Sequence, residues 1–506
     1  MSCLPGRHGI ATYEFMADPR LRLASELAAV NRQQLLDALA RPTVTVAVSN
    51  GAGPAARLAA VALYGLCCRV FPNVEFDGTG DLPPNPWGAS TIDEALSLQP
   101  HAPPLVHSDP RRTVLVVGTS GAGDWFLGGD DWNVSLSRRP VTSSPNPIQH
   151  GGLGLQMAAC LAFGEVFKQA LNPLGFRSKP LDGEFLWNLV DYKLRHVVVE
   201  PPTPRRQRLL LAGAGSLASA AVSGLIMASA PAELHIIDDD SFDPVHNPYR
   251  YSAATTETNG FKASWLASIC NTVRHLEATG YVQRIENWTA EQARPGFDGT
   301  ALVTVDRVDG RRYGADLLAR STVSAGVDGL ALQVHRSYAL DEGQACSYCD
   351  YVDAADPADQ VDVYASLTGI DKPRIQQLVN GVRLTEADLE AAVAAGKIPG
   401  SQRIGLVGRR LEDLVRAAYG EATVNISDTE DVARVSAPHV SWAAGMITAA
   451  ELVKAGVGLP LLSRRVRLDL RGVPLGVTDR PLQEPTGRCL CHDPVRSDSA
   501  RSWYLP

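Results

Sequence analysis

The run QRLLLAGAGSLASAAVSGLIMAS, residues 207–229, constrains the fold more than any other stretch of the chain. Residues 209–211 read as a buried strand, GAGSLA as a glycine turn and the apolar run behind it as a helix. A strand that feeds a helix through glycines opens a parallel α/β unit. Gly213 permits the tight turn, and Gly215 lets the backbone come close to a phosphate. The helix that follows turns its free N–H groups toward an anion. Ala218 stands at the third glycine position and is small enough for close helix–strand packing. A glycine pattern alone is shared by many kinds of nucleotide binder and by loops that bind nothing.

The same order occurs earlier. RPTVTVAVSNGAGPAARLAAVALYGL (41–66) is strand, glycine turn, helix; TVLVVGTSG (113–121) is a further strand, and GGLGLQMAACLAFGEVFKQAL (151–171) a long apolar helix. In the second half AELHIIDDD (232–240) is a strand ending in carboxylates. HVSWAAGMITAAELVKAG (439–456) is a second long helix, which aligns with the first without gaps, Glu165 on Glu451 and Lys168 on Lys454. The bland reading is that any two amphipathic segments look alike. The alternation predicts an α/β fold of two tandem Rossmann-like halves. The expected boundaries are a first half over 1–196, a Pro-rich linker over 197–207, and a second half over 208–350 and 436–506. A polar, helical insert is expected over 351–435, with Thr385 capping a helix and Asp388 completing a near relative of a capping box.

The net charge of -8 speaks against nonspecific binding to nucleic acid or to an anionic membrane. No apolar run reaches the length of a membrane helix, and the first residues carry no secretory pattern. Nine cysteines, an odd number, fit a reducing compartment better than a disulfide framework. A cytoplasmic enzyme is the expectation.

After the glycine loop come groups that suit ATP. Asp238, Asp239 or Asp240 at a strand end can accept hydrogen bonds from a ribose. HNPYR supplies Asn247 and Arg250, GFKA supplies Lys262, and VTVDRVDGRR places Asp306 at the end of an apolar strand. A dehydrogenase needs only the first two elements. Phosphates call for Arg and Lys, and a carboxylate can hold magnesium. Singly, each is more simply a surface charge or a turn residue.

In this order GAGSLAS, DDDSFDPVHNPYR, GFKA and VDRVDGRR resemble the motifs of the ThiF/MoeB/ubiquitin-activating adenylyltransferase superfamily, over residues 207–350 and the helix at 439–456. The resemblance implies that Gly213, Gly215 and Ser216 meet phosphate and that Asp239, with Asp238 as the alternative register, meets the ribose. It implies Asn247, Arg250 and Lys262 on the triphosphate and Asp306 on Mg2+. The implied reaction is attack of a C-terminal carboxylate on the α-phosphate of ATP, releasing pyrophosphate. Ala218 and Arg307 depart from the family's usual Gly and Asn.

CSYC and CLCH give Cys346, Cys349, Cys489 and Cys491, a spacing that suits one tetrahedral zinc site as well as free thiols, with His492 as a substitute ligand. The resemblance favours a structural Zn2+. Between Cys349 and Cys489 the chain has no cysteine, where thioester-forming relatives carry their nucleophile. Only hydroxyls stand there: Ser366, Thr368, Ser401, Thr423, Ser427 and Thr429. Transfer by a partner's nucleophile, or an oxyester on Ser401 or Thr368, is the expected route, against a remote cysteine such as Cys270 swinging in. Cys67, Cys68 and Cys160 read as core residues.

The first half keeps VSNGAGPAARL (48–58) but no Asn–Arg–Lys series, and reads as a degenerate copy. The resemblance implies that such a copy lends an arginine across, with Arg20 or Arg22 as candidates beside the plainer reading of surface charge. Lys168 is expected to be neutral toward ATP. The whole suggests activation of a ubiquitin-like protein in a bacterial ubiquitination-like pathway, with a conjugating enzyme as partner and a homodimer as the assembly. Sulfur-transfer activators and peptide-adenylating enzymes of natural-product biosynthesis are the alternatives within the class, and an inert scaffold the alternative outside it.

Overall fold

The computed structural model describes residues 32–105, 110–141, 151–176, 178–199, 204–244, 247–292, 296–306, 308–339, 344–352, 357–379, 382–411, 413–415, 437–462, 465–473 and 477–504. Arg20, Arg22, Arg307, Thr423, Ser427 and Thr429 lie outside them. The chain divides into two compact units, one comprising residues 1–32 and 353–435, the other 33–352 and 436–506.

The larger unit is mixed α/β. Its first sheet is built from β1 (Pro42–Val48), β2 (Asn73–Asp77), β3 (Arg111–Val117), β4 (Trp125–Gly129), β5 (Asn133–Ser137) and β6 (Phe185–Asn188), in the order β2-β1-β3-β4-β5-β6. The second uses β7 (Gln207–Ala212), β8 (Ala232–Ile237), β9 (Leu276–Tyr281), β10 (Thr300–Val303), β11 (Ser321–Asp328), β12 (Ala331–Tyr338), β13 (Arg465–Asp469) and β14 (Val477–Asp479), in the order β9-β8-β7-β10-β11-β12-β13-β14. Without the edge strands β9 and β14 the two orders coincide. So do the directions: the strands on the glycine-loop side pair parallel, and the last two of the six pair antiparallel. The resemblance of the two halves seen in sequence is thus a shared topology.

Four helices join the halves: α1 (Pro54–Cys68), α2 (Leu153–Leu171), α3 (Ser216–Met227) and α4 (Pro438–Val457). Helix α4 packs on α3 of its own half and on α2 of the other, and α1 packs on α2. Helices so placed have no solvent face, which is why their sequences are apolar all round. Small residues set the approach: a Cβ on Gly445 would stand 2.3 Å from the Ala220 side chain, and one on Gly224 2.4 Å from that of Ala449.

The two aligned Glu–Lys pairs occupy equivalent buried places. Glu165 pairs with Lys168 on α2, and Glu451 with Lys454 on α4. Each lysine then crosses to the opposite half. Lys168 Nζ donates to the Gly472 carbonyl (3.3 Å), and Lys454 Nζ to those of Leu189 (3.2 Å) and Val190 (3.0 Å). Burial opposes the Glu451 charge, but Lys454 and Arg336 outweigh it and hold its carboxyl below the usual range. Lys168 therefore ties the halves together, a structural part that its apolar sequence surroundings do not announce.

In the smaller unit, helices Pro357–Thr368, Lys372–Val379 and Glu386–Ala394 surround their own core of Ile375, Leu378, Leu389 and Leu414. The expected cap is present as a full capping box. Asp388 Oδ2 accepts from the Thr385 N–H at 2.7 Å, and the two carboxylate oxygens together take a forked pair of bonds from Arg374 Nε and Nη2.

Candidate active site

In the second sheet β7 lies between β8 and β10, both parallel to it. The strand order reverses at β7, and open α/β sheets take their ligands beyond the carboxyl ends of the strands at such a reversal. The glycine loop leaves β7, residues 238–240 leave β8, and Asp306 stands three residues past β10. Three sequence-predicted parts of the site thereby meet along one sheet edge.

Gly213 has φ +98°, and a Cβ there would come within 3.0 Å of the Val305 side chain. Gly215 is extended (φ −70°, ψ −174°) at the cap of α3, and a Cβ there would meet nothing within 4 Å. Ser216 opens the helix, its hydroxyl 3.1 Å from that of Ser441. The two glycines thus serve different ends, and alanine separates them. Gly213→Ala is expected to cost about 1–2 kcal/mol of stability through its left-handed backbone. Gly215→Ala should melt like the parent and, where the loop receives a nucleotide phosphate, should weaken Mg·ATP binding at least about tenfold, because the added methyl fills that space. Calorimetric titration of the melted-in and control proteins checks this; parent-like affinity in Gly215→Ala removes the loop from the binding site.

The three aspartates divide their work. Asp238 accepts from the Ala214 N–H (2.6 Å) and the Asp240 N–H (2.9 Å), so it braces the glycine loop, and burial raises its carboxyl pKa. Asp239 receives Arg284 Nε at 3.2 Å, and Asp240 receives Lys262 Nζ at 2.6 Å. Sequence order alone singled out neither Asp240 nor Arg284; the latter enters from the loop beyond β9. With two of the three carboxylates already met by cations, the cluster is not an open cation site.

Lys262 opens the helix Lys262–Cys270, and its side chain is 13% exposed. Burial works against its charge, but Tyr251, Asp240 and Asp238 outweigh burial and raise its pKa, so it is a firmly held cation. Asn247 is buried and its Oδ1 accepts from the Asp243 N–H at 3.1 Å, which fixes the turn that precedes Arg250. Arg250 is half-buried. Its Nε is shielded from solvent and has no hydrogen-bond partner among the described residues. Asp306 is exposed.

The first half keeps the loop backbone: Gly51 has φ +77°, and Gly53 has φ −69°, ψ 172°. Three residues past β3, where the second half has Asp306, stands Ser120, whose N–H donates to the Ser49 hydroxyl at 3.1 Å.

The four cysteine sulfurs from CSYC and CLCH all lie within 4.8 Å of one another. The contacts are 3.9 Å for Cys346–Cys349, 3.4 Å for Cys346–Cys489, 3.5 Å for Cys349–Cys489 and 3.4 Å for Cys349–Cys491. Tetrahedral ligation at about 2.3 Å places sulfurs roughly 3.8 Å apart, so the set fits a thiophilic metal. His492 does not join it, because its Nε2 faces the Glu484 carbonyl at 2.7 Å. The Glu484 carboxylate collects the N–H groups of Thr486, Arg488 and Cys489 and so shapes the turn that presents Cys489.

The acyl-acceptor candidates change. Thr368 is fully buried and its hydroxyl donates to the Tyr364 carbonyl at 2.7 Å, which removes it. Cys67, Cys68, Cys160 and Cys270 are fully buried, and burial pushes the Cys270 thiol up to about 12. Ser366 is exposed; the Ser401 side chain lies outside what is described.

No protein-family model matches the chain, and no curated protein matches it in sequence. Among solved structures it is similar to E. coli MccB (12% identity, TM-score 0.34, covering 56% of this chain and 65% of that one). It is also similar to the microcin C7 biosynthetic enzyme MccB in complex with N-formylated MccA (11%, 0.34, 57% and 67%) and to E. coli MccB with ATP (11%, 0.32, 56% and 66%). Likeness this distant does not reach beyond the general α/β arrangement.

Proposed function

We propose that the second half adenylates the C-terminal carboxylate of a peptide or small protein at the expense of ATP. The observation that carries this reading is the meeting, at one switch point, of a glycine loop with open space above Gly215, the held cation Lys262 and the strand-end Asp306. A dinucleotide site for hydride transfer has no use for the last two. The carboxylate is itself the nucleophile and needs no general base. The protein's part is to hold two anions together and to offset the charge that develops at the α-phosphate. Arg250 and Lys262 would meet the phosphates, and Asp306 would hold Mg2+, which neutralises the leaving pyrophosphate. Asp239, freed from Arg284, would meet the ribose. The four cysteines would hold a structural zinc, and the first half would be a nucleotide-free partner of the second.

The carboxylate substrate would belong to a wider class than the ubiquitin-like proteins first expected. Solved MccB complexes hold MccA in one case and ATP in another; for this chain any peptide or small protein with a free C-terminal carboxylate would serve the same chemistry. With no exposed cysteine in the described part of the insert, the adenylate would pass directly to a partner's nucleophile or to a hydroxyl such as Ser366 or Ser401.

The test has two stages. Calorimetry on the full chain should show Mg·ATP binding; a chain that binds none ends the reading. Synthetic peptides with free C-termini should then drive exchange of labelled pyrophosphate into ATP, while their C-terminal amides should not. Equal exchange with amides would place the chemistry elsewhere than on a carboxylate.

A further inference from the structure

Arg69 caps the carboxyl end of α1 in the first half, and it is 1% exposed. Its six hydrogen bonds among the described residues all end on neutral oxygens. Two stay in its own half, to the Gly65 carbonyl (2.6 Å) and Gln99 Oε1 (3.0 Å). Four cross to the second half, to the carbonyls of Pro248 (2.9 Å), Tyr251 (3.2 Å), Ser252 (3.3 Å) and Ala254 (2.7 Å). Trp87 Nε1 adds a bond to the Ser252 carbonyl at 3.2 Å, and the Thr256 N–H donates back to the Leu98 carbonyl at 3.0 Å.

Burying a guanidinium without a carboxylate is costly, and it lowers the Arg69 pKa to about 10. Such a group persists where its flat fork of donors satisfies several carbonyl oxygens at once. Here those oxygens belong to the irregular segment 248–254, whose backbone has no sheet or long helix to bind it. Arg250 lies inside that segment and Asn247 just before it. A Cβ on Gly65 would come 3.0 Å from Arg69 Nη1 and 2.4 Å from Gln99 Oε1, so the glycine makes room for the arrangement.

We infer that Arg69, seconded by Trp87, is a positioning residue through which the first half holds Asn247 and Arg250 in place for the nucleotide. The inference rests on the nucleotide-site reading above. It gives the first half a part in the chemistry that needs no direct contact with the phosphates.

The test is a double-mutant cycle on the full chain with Mg·ATP as the probe, read by calorimetry. Arg69→Met keeps the bulk of the side chain and removes the donors. It should bind Mg·ATP about tenfold more weakly, the loss typical of hydrogen bonds from a charged donor. Amide exchange should quicken at residues 250–256 and stay unchanged in β7 and β10. In an Arg250→Ala background the same substitution should add little, because the two act through one group. Losses that multiply, or parent-like affinity in a folded Arg69→Met, would overturn the inference. If Arg69→Met does not fold, Trp87→Phe takes its place with an expected loss of about threefold, and parent-like affinity there overturns it equally. A parent chain that binds no Mg·ATP fails at the earlier stage and takes both readings with it, so the two failures are distinguishable.

Discussion

Lys262→Ala is expected to leave the fold intact and to lower peptide-driven pyrophosphate exchange by a hundredfold or more, roughly 3 kcal/mol. Stability should change little, because the partner left behind, Asp240, has a side chain 53% exposed and rehydrates in place. Catalysis should change much, because the ammonium is held beside the glycine loop before any phosphate arrives. Asp240 is a placeholder in that view: on binding, the cation exchanges one anion for another at small cost in reorganisation. Asp240→Asn tests the same point from the other side. It keeps the shape, frees Lys262, and should spare exchange far better than Lys262→Ala does. Asp306→Ala removes an exposed carboxylate and should match Lys262→Ala in exchange without altering melting. If Lys262→Ala and Asp306→Ala both retain near-parent exchange with a competent peptide, the site assignment is wrong.

The parts of this site legible in sequence were those written as local patterns. The glycine loop declared its strand, turn and helix, and φ +98° at Gly213 is what that spelling requires. The two long helices declared their kinship, down to the Glu–Lys pairs that sit alike in both. Thr385 declared its cap. What stayed hidden depends on the three-dimensional surroundings of single residues. Three consecutive aspartates look equivalent on paper, and only the neighbours Ala214, Arg284 and Lys262 give them separate tasks. Thr368 looks like an available hydroxyl until its helix buries it. His492 looks like a ligand until Glu484 claims it. Arg69 stands in no motif, and its significance lies 179 residues away at Pro248.

Metal removal is expected to have the larger effect on stability. The four sulfurs come from two short segments, 346–349 and 489–491, about 140 residues apart in sequence. Cys489 is buried, but Cys346, Cys349 and Cys491 are only partly so. Four thiols at 3.4–3.9 Å have little reason to gather unless something binds them. In small thiolate sites the binding free energy is folding free energy, on the order of 10 kcal/mol or more at neutral pH. Most of that should appear locally, because Arg465, paired with Asp350 and Asp479, anchors the neighbouring strands independently. Elemental analysis of chelator-free protein should therefore find about one zinc per chain. Prolonged chelation should release it, lower the melting temperature and expose residues 484–492 to protease, while β7 and β10 keep their amide protection. Cys346→Ser should do the same without chelator. His492→Ala should retain the metal, since its ring serves the Glu484 carbonyl. Protein that contains no metal and resists cleavage at 484–492 would show that the thiols gather for another reason.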